Sequence, residues 1–178
     1  MATDAVPVVL ITGVVGVGKT TITGEASRLL REAGIAAAAI DLAVIGNCWP
    51  APPDDPWNED VIHRNLACMW ANYQQAGAAR LLLCRVLESR GLLARVREAV
   101  PGAEITVVGL RAPLETVRAR IRARESGRDP QWYLDVAEYL APRLENAGVE
   151  DHVLANHGRP AADVAAEVLS VAGWLPAR

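Results

Sequence analysis
Val8 to Thr12 (VVLIT) is a continuous apolar run between Pro7 and Gly13, the pattern of a short strand buried on both faces. Glycines follow, and then apolar residues recur at Ile22, Ala26, Leu29, Leu30 and Ala33, a helical stripe that Gly34 closes. Ile35 to Ile40 predicts a second strand ending at Asp41, although its alanines favour strand only weakly. Pro50, Pro52, Pro53 and Pro56 lie between Gly46 and Asn58 together with Trp49 and Trp57, which predicts a loop. Helical spacing returns at Ile62, Leu66, Met69, Trp70 and Tyr73 and stops at Gly77. Arg80 to Leu87 (RLLLCRVL) contains a third buried strand, a short helix runs through Leu92 and Val96, and Ile105 to Leu110 makes a fourth strand. Leu114, Val117 and Ile121 then mark the inner face of a helix that Ser126 to Pro130 breaks. Tyr133, Val136, Leu140 and Leu144 mark another. A short strand near Val153 and Leu154 and a helix through Val164, Val168 and Val171 complete the alternation. Parallel neighbours need crossover helices, so five strands alternating with helices predict an α/β fold with a parallel sheet covered on both faces.

Composition narrows this to one domain spanning 1–178, because 178 residues at 51% hydrophobic suit one packed core and are short for two. A formal charge of -3 gives no bulk attraction for polyanions, so nucleic acid would require a local basic patch. Cys48, Cys68 and Cys84 are widely spaced and odd in number, which argues against a disulfide framework or zinc ribbon and fits a reducing compartment. No apolar run is long enough to span a bilayer and no basic leader precedes Val8, so the expectation is a soluble, unprocessed, cytoplasmic protein. Of the eighteen basic residues seventeen are arginine, and the one lysine is Lys19.

That lysine sits in Gly13-Val14-Val15-Gly16-Val17-Gly18-Lys19-Thr20, a complete match to G-x-x-x-x-G-K-[ST] placed between a predicted strand and a predicted helix. From average residue usage the pattern arises by chance in roughly one in two hundred chains of this size. Glycines let the backbone wrap with its N–H groups inward, and the helix start adds a positive dipole, so a polyphosphate meets donors already in place. Lys19 is expected on the β and γ phosphates, and the Thr20 hydroxyl on Mg²⁺.

In a parallel sheet the reacting groups lie at the carboxyl ends of the strands. Asp41 is the first candidate there, as a carboxylate that orders Mg²⁺ through water or takes the proton of an attacking hydroxyl; the plain alternative is a cap after the strand. Arg85 and Glu88 follow the third strand and either reach an acceptor or form a structural ion pair. Arg118, Arg120, Arg122, Arg124 and Arg128 form the basic patch. At 3.6 residues per turn Arg120 and Arg124 make one stripe and Arg118 and Arg122 another, flanking the apolar face. One stripe can close on ATP as a lid, a guanidinium stacking on adenine and another neutralising the transferred phosphoryl group; a merely solvated arginine face is the alternative. Single-stranded nucleic acid is the least favoured partner, since no aromatics interleave with these arginines. Asn156-His157-Gly158-Arg159-Pro160 joins the last strand to the last helix, and Arg159 there is a candidate nucleotide contact. His63 and His152 have no partners at ligand spacing. Trp49 and Trp57 either wall an acceptor site or plug the core edge.

With these residues in view the chain resembles the P-loop small-molecule kinases of the nucleoside and nucleotide kinase-like superfamily, among them adenylylsulfate kinase, chloramphenicol phosphotransferase, gluconate kinase and shikimate kinase. The resemblance covers the whole chain in element order, with GVVGVGKT as its specific match. It implies a three-layer αβα P-loop NTPase fold with sheet order 2-3-1-4-5, an acceptor segment at about 42–60 and an arginine-bearing lid at about 120–132. It implies ATP and Mg²⁺ held by Gly13, Val15, Gly16, Val17, Gly18, Lys19, Thr20 and Thr21, with Arg120 and Arg159 on the nucleotide. Lys19, Asp41, Arg120 and Arg124 are then the candidate catalytic set, and Thr20 and Asp41 the candidate metal set. The chain departs from the pattern at the end of the third strand, where Cys84 and Arg85 stand in place of an acidic residue. The Pro/Trp segment after Asp41 matches none of the acceptor motifs of adenylylsulfate, shikimate or gluconate kinases.

The sequence therefore points to a phosphotransferase acting on a hydroxyl or phosphate of a small molecule, with a homodimer as a further expectation. A nucleotide-binding regulatory module acting through a protein partner is the second reading, and a polynucleotide kinase the third. The lack of an N-K-x-D pattern argues against a Ras-like version of the second.

Overall fold
The computed structural model describes residues 5–127 and 129–176, which leaves Arg128 of the basic patch outside the described residues. Strands β1 (Val6–Thr12), β2 (Ala38–Asp41), β3 (Leu81–Cys84), β4 (Ala103–Arg111) and β5 (His152–Ala155) form one sheet in the order β2-β3-β1-β4-β5. All four pairings are parallel. The helices are α1 (Lys19–Glu32), α2 (Leu42–Ile45), α3 (Glu59–Gln75), α4 (Gly91–Ala99), α5 (Leu114–Arg124), α6 (Gln131–Ala147) and α7 (Ala161–Val171). This is the P-loop NTPase fold that the resemblance implies.

Alternation along β1 divides the core in two. Val8 and Leu10 face the layer of α3 and α4, packing with Leu66, Trp70, Leu93 and Val96. Val9 and Ile11 face α1 and α7, packing with Ile22, Leu29, Leu30, Val164 and Val168. Leu81, Leu82 and Leu83 of β3, between β2 and β1, are fully buried, each contributing about 1.5–3 kcal/mol of transfer free energy. A third cluster joins α5 to α6 through Val117, Ile121, Leu134 and Ala137, and Val14 of the glycine loop packs against it. Among the described residues no helix is long and apolar enough to cross a membrane.

One local expectation is corrected and one element is added. The second strand starts at Ala38 rather than Ile35, because Ile35 is taken up in stopping α1: Gly34 turns to φ 69° and the Ile35 amide donates to the Leu30 carbonyl at 2.9 Å. The chain after Asp41 also forms a helical turn, α2, which four residues are too few to announce by periodicity.

The proline-rich segment is a loop, as its composition predicts, and it is pinned rather than loose. Asn58 is buried at φ 54° and its Nδ2 donates to the Gly46 carbonyl at 3.0 Å and the Cys48 carbonyl at 2.9 Å. Gly46 lies against Ile62 so closely that a side chain there would collide with it. Trp49 and Trp57 are 90% and 68% exposed, so neither plugs the core. Replacing Asn58 by Ala strips two carbonyls of their donor and forces an unfavourable φ. The expected cost is about 2 kcal/mol of unfolding free energy, read from urea titration.

Candidate functional site
The glycine loop leaves β1 at the centre of the sheet's carboxyl edge, next to the ends of β3 and β4. Gly16 and Gly18 need their lack of a side chain twice over. Their φ values are 81° and 109°. A Cβ on Gly16 would stand 2.6 Å from Ile121 Cγ1, and one on Gly18 would stand 2.6 Å from Asn156 Nδ2. No side chain caps α1, so its first amides are left for an anion.

Lys19, the first residue of α1, folds back over the loop and donates from Nζ to the Gly13 carbonyl at 2.9 Å and the Val14 carbonyl at 3.1 Å. Burial is the main cause that lowers its pKa to about 8; the nearby Arg124 charge adds to the fall, while Cys84 and Asp41 oppose it. Beside it Thr20 Oγ1 donates to Asp41 Oδ2 at 2.8 Å. Asp41 Oδ1 accepts from the Ala43 amide at 3.1 Å, so this carboxylate caps α2 and touches the loop hydroxyl together. Asp41 and Cys84 are register partners on adjacent strands. Burial pushes the Cys84 thiol up to about 11, so a neutral thiol occupies the end of the strand where a carboxylate was looked for.

The two arginine stripes separate as their spacing predicts. Arg120 Nη1 donates to the Val17 carbonyl of the loop at 2.9 Å, while Arg118 turns to Glu138 of α6 at 2.7 Å. Arg124 lies over the Tyr133 ring at 4.7 Å and pairs with Glu125 at 2.6 Å. Its charge is felt at Lys19, where it adds a minor part to the lowered pKa. Arg122 is exposed. Val15 lies partly buried in the loop, Val17 is buried beneath it, and Thr21 is exposed on α1. Arg159 pairs with Glu167 of α7 at 2.6 Å and so is engaged with its own helix. From the same segment it is Asn156 that reaches the loop: it is buried, and its Nδ2 donates to the Val17 carbonyl at 2.7 Å. Sequence reasoning marked the segment and missed this residue. The available signal was a polar side chain directly after a buried strand.

Across the site, Arg85 follows β3 and forms a two-pronged pair with Glu59 at the start of α3, with Nη1 to Oε2 at 2.8 Å. Glu88 faces Arg143 of α6 at 3.6 Å. Cavities of about 400 and 510 Å³ lie at the opposite, amino edge of the sheet, around Trp70 and Arg80, and neither touches the loop.

The arrangement fits a nucleotide with magnesium. Glycines at positive φ, an uncapped helix start and Lys19 match a polyphosphate. Among the described residues no group of three or more His, Cys, Asp or Glu is set to hold a metal. Mg²⁺ asks for less than that: it keeps most of its waters and takes one or two protein oxygens alongside phosphate, which the Thr20–Asp41 pair offers.

Two measurements probe this geometry. A polyphosphate beside Lys19 favours the ammonium, whereas without one burial, as the main cause, keeps its pKa near 8. The charged form is thus complete below that pH and lost above it. ATP affinity is expected to weaken as pH rises through about 8, with proton uptake on binding that calorimetry in buffers of different ionisation enthalpy detects and Lys19→Ala abolishes. Asn156→Ala removes the buried donor from the Val17 carbonyl and should weaken ATP and ADP alike by about tenfold, since about 1–3 kcal/mol rides on such a group.

The comparisons agree with this geometry. No curated protein sequence matches the chain. Among solved structures, a gluconokinase from Sinorhizobium meliloti is similar at 18% identity and TM-score 0.60, over 96% of this chain and 94% of that one. The Deinococcus radiodurans tunicamycin resistance protein is similar at 18% identity and TM-score 0.64, over 96% and 97% of the two chains. The Mycobacterium tuberculosis APS kinase, solved with AMPPNP and APS, is similar at 19% identity and TM-score 0.55, over 95% and 98%. These likenesses carry the fold. A family model described as AAA domain matches residues 9–141, from β1 through the glycine loop and both arginine stripes into α6, and the chain belongs to that family.

Proposed function
We propose that the chain is an ATP-dependent phosphotransferase that passes the γ-phosphoryl group to a hydroxyl of a small molecule. The observation that carries this reading is the Thr20–Asp41 hydrogen bond of 2.8 Å, which sets a carboxylate from the end of β2 against the hydroxyl of the phosphate loop. Support also comes from the structural neighbours, which include a gluconokinase and an APS kinase solved with AMPPNP.

When bound, ATP with Mg²⁺ supplies the phosphoryl group and screens its charge. The chain's own residues do the rest. Amides of Gly16, Gly18 and Lys19 hold the phosphates in place, and the Lys19 ammonium meets the charge on the β and γ groups. Thr20 and Asp41 would supply the protein oxygens for the metal. Asp41, fixed by the Thr20 hydroxyl and the Ala43 amide, stands between the phosphate loop and the 42–60 segment, from where it orients the acceptor hydroxyl. Arg120, which reaches the loop from α5, and Arg124 one turn further on balance the charge that develops on the transferred group.

Asp41→Asn keeps the shape and removes the charge. Its turnover should fall about 100-fold while ATP affinity moves less than about threefold, and the magnesium concentration for half-maximal rate should rise. Wild-type turnover in this variant removes Asp41 from the mechanism. No calorimetric heat from ATP or GTP with magnesium removes the nucleotide reading altogether.

A further inference from the structure
The acceptor face has an electrostatic character of its own. From Asp41 to His63 the chain carries Asp41, Asp54, Asp55, Glu59 and Asp60 and neither lysine nor arginine. The cation that reaches this face from β3 is Arg85, held by its backbone amide to the Ile11 carbonyl at 3.1 Å and therefore beside the phosphate loop. Its guanidinium is engaged with both carboxylate oxygens of Glu59. The side chains are 14% and 21% exposed, so the pair is largely sheltered from water and its screening. Arg64, which follows directly on α3, donates from Nε to the Asp60 carbonyl at 3.3 Å, and Arg95 of α4 is paired with the Asp60 carboxylate. Burial holds the His63 imidazole below its ordinary pKa, which leaves this neighbour of Glu59 uncharged at neutral pH.

An anionic acceptor entering this face would have to take the Arg85 fork from Glu59. That exchange breaks charge-assisted bonds and leaves Glu59 unpaired beside Asp55 and Asp60, a heavy cost in a sheltered setting. An uncharged or amine-bearing acceptor meets no such cost. Trp49 and Trp57 are exposed in the loop that borders the face, and aromatic faces stack on the C–H surface of a polyol ring or on an ammonium. Building against one class of ligand through a charge already satisfied is a recognised route to specificity.

We propose that the acceptor is a hydroxyl compound carrying no negative charge, a neutral polyol or an amino sugar, and that the Arg85–Glu59 pair is the determinant that turns carboxylates, sulfates and phosphates away. This rests on the phosphotransferase reading above.

The test sorts a defined library of hydroxyl compounds into three pools: uncharged sugars and alcohols, amine-bearing sugars, and compounds with a carboxylate, sulfate or phosphate. Each pool is incubated with the protein, magnesium and ATP labelled in its γ-phosphate, and label transfer is measured. The wild type should label the uncharged or amine pool and not the anionic one. Glu59→Gln, checked for folding by circular dichroism and for ATP binding by calorimetry, frees the Arg85 fork and should raise labelling of the anionic pool at least about tenfold. Wild-type labelling of the anionic pool overturns the inference and leaves the phosphotransferase reading standing. Uncharged labelling that Glu59→Gln does not redirect overturns the role of the pair. Binding of ATP with no label in any pool defeats the phosphotransferase reading, and this inference with it.

Discussion
The carbonyl of Val17 is the point on which the site turns. A peptide plane carries its C=O and its N–H in opposite directions, so holding the Val17 oxygen outward aims the Gly18 amide into the loop. Two donors hold it, Asn156 from the β5–α7 connection and Arg120 from α5. They come from far along the chain, after β4 and after β5, on the side of β1 away from β3. The cradle is therefore shaped by the completed sheet and its helices, and not by the glycine motif alone.

The same sheet explains why Asp41, Cys84 and Thr20 meet. Placing β3 between β1 and β2 sets Cys84 one strand from Ile11 and one strand from Asp41. That spacing lets the carboxylate of β2 reach Thr20 at the start of α1, and it seats an uncharged thiol between them. With a thiol there, Asp41 is the carboxylate that bears on Lys19, and burial is left as the stronger influence on that lysine.

Much of this was legible in the sequence, and the parts that were not share a cause. The strand, glycine loop and helix at the N-terminal end declare themselves by local pattern, and the two arginine stripes follow from helical spacing alone. Asp41 was legible as a candidate, yet its double duty as cap and loop contact was not, because α2 is one turn long. The start of β2 was misplaced because Ile35, apolar like a strand residue, is spent in the stop of α1. Arg159 drew attention by its charge, while the neutral Asn156 three residues earlier makes the contact, to a carbonyl 139 residues away in the chain. Local pattern cannot report a bond of that span.

Gly16 fixes one property of the arginine helix. The bare glycine lets Ile121 settle directly on the loop, with Val117 beside it, so the middle of α5 is bolted to the phosphate cradle by close apolar contact. Swinging the whole helix outward would tear open that seam and leave a void. Arg120 is thereby anchored as part of the floor, one residue before the contact that Ile121 makes with the loop.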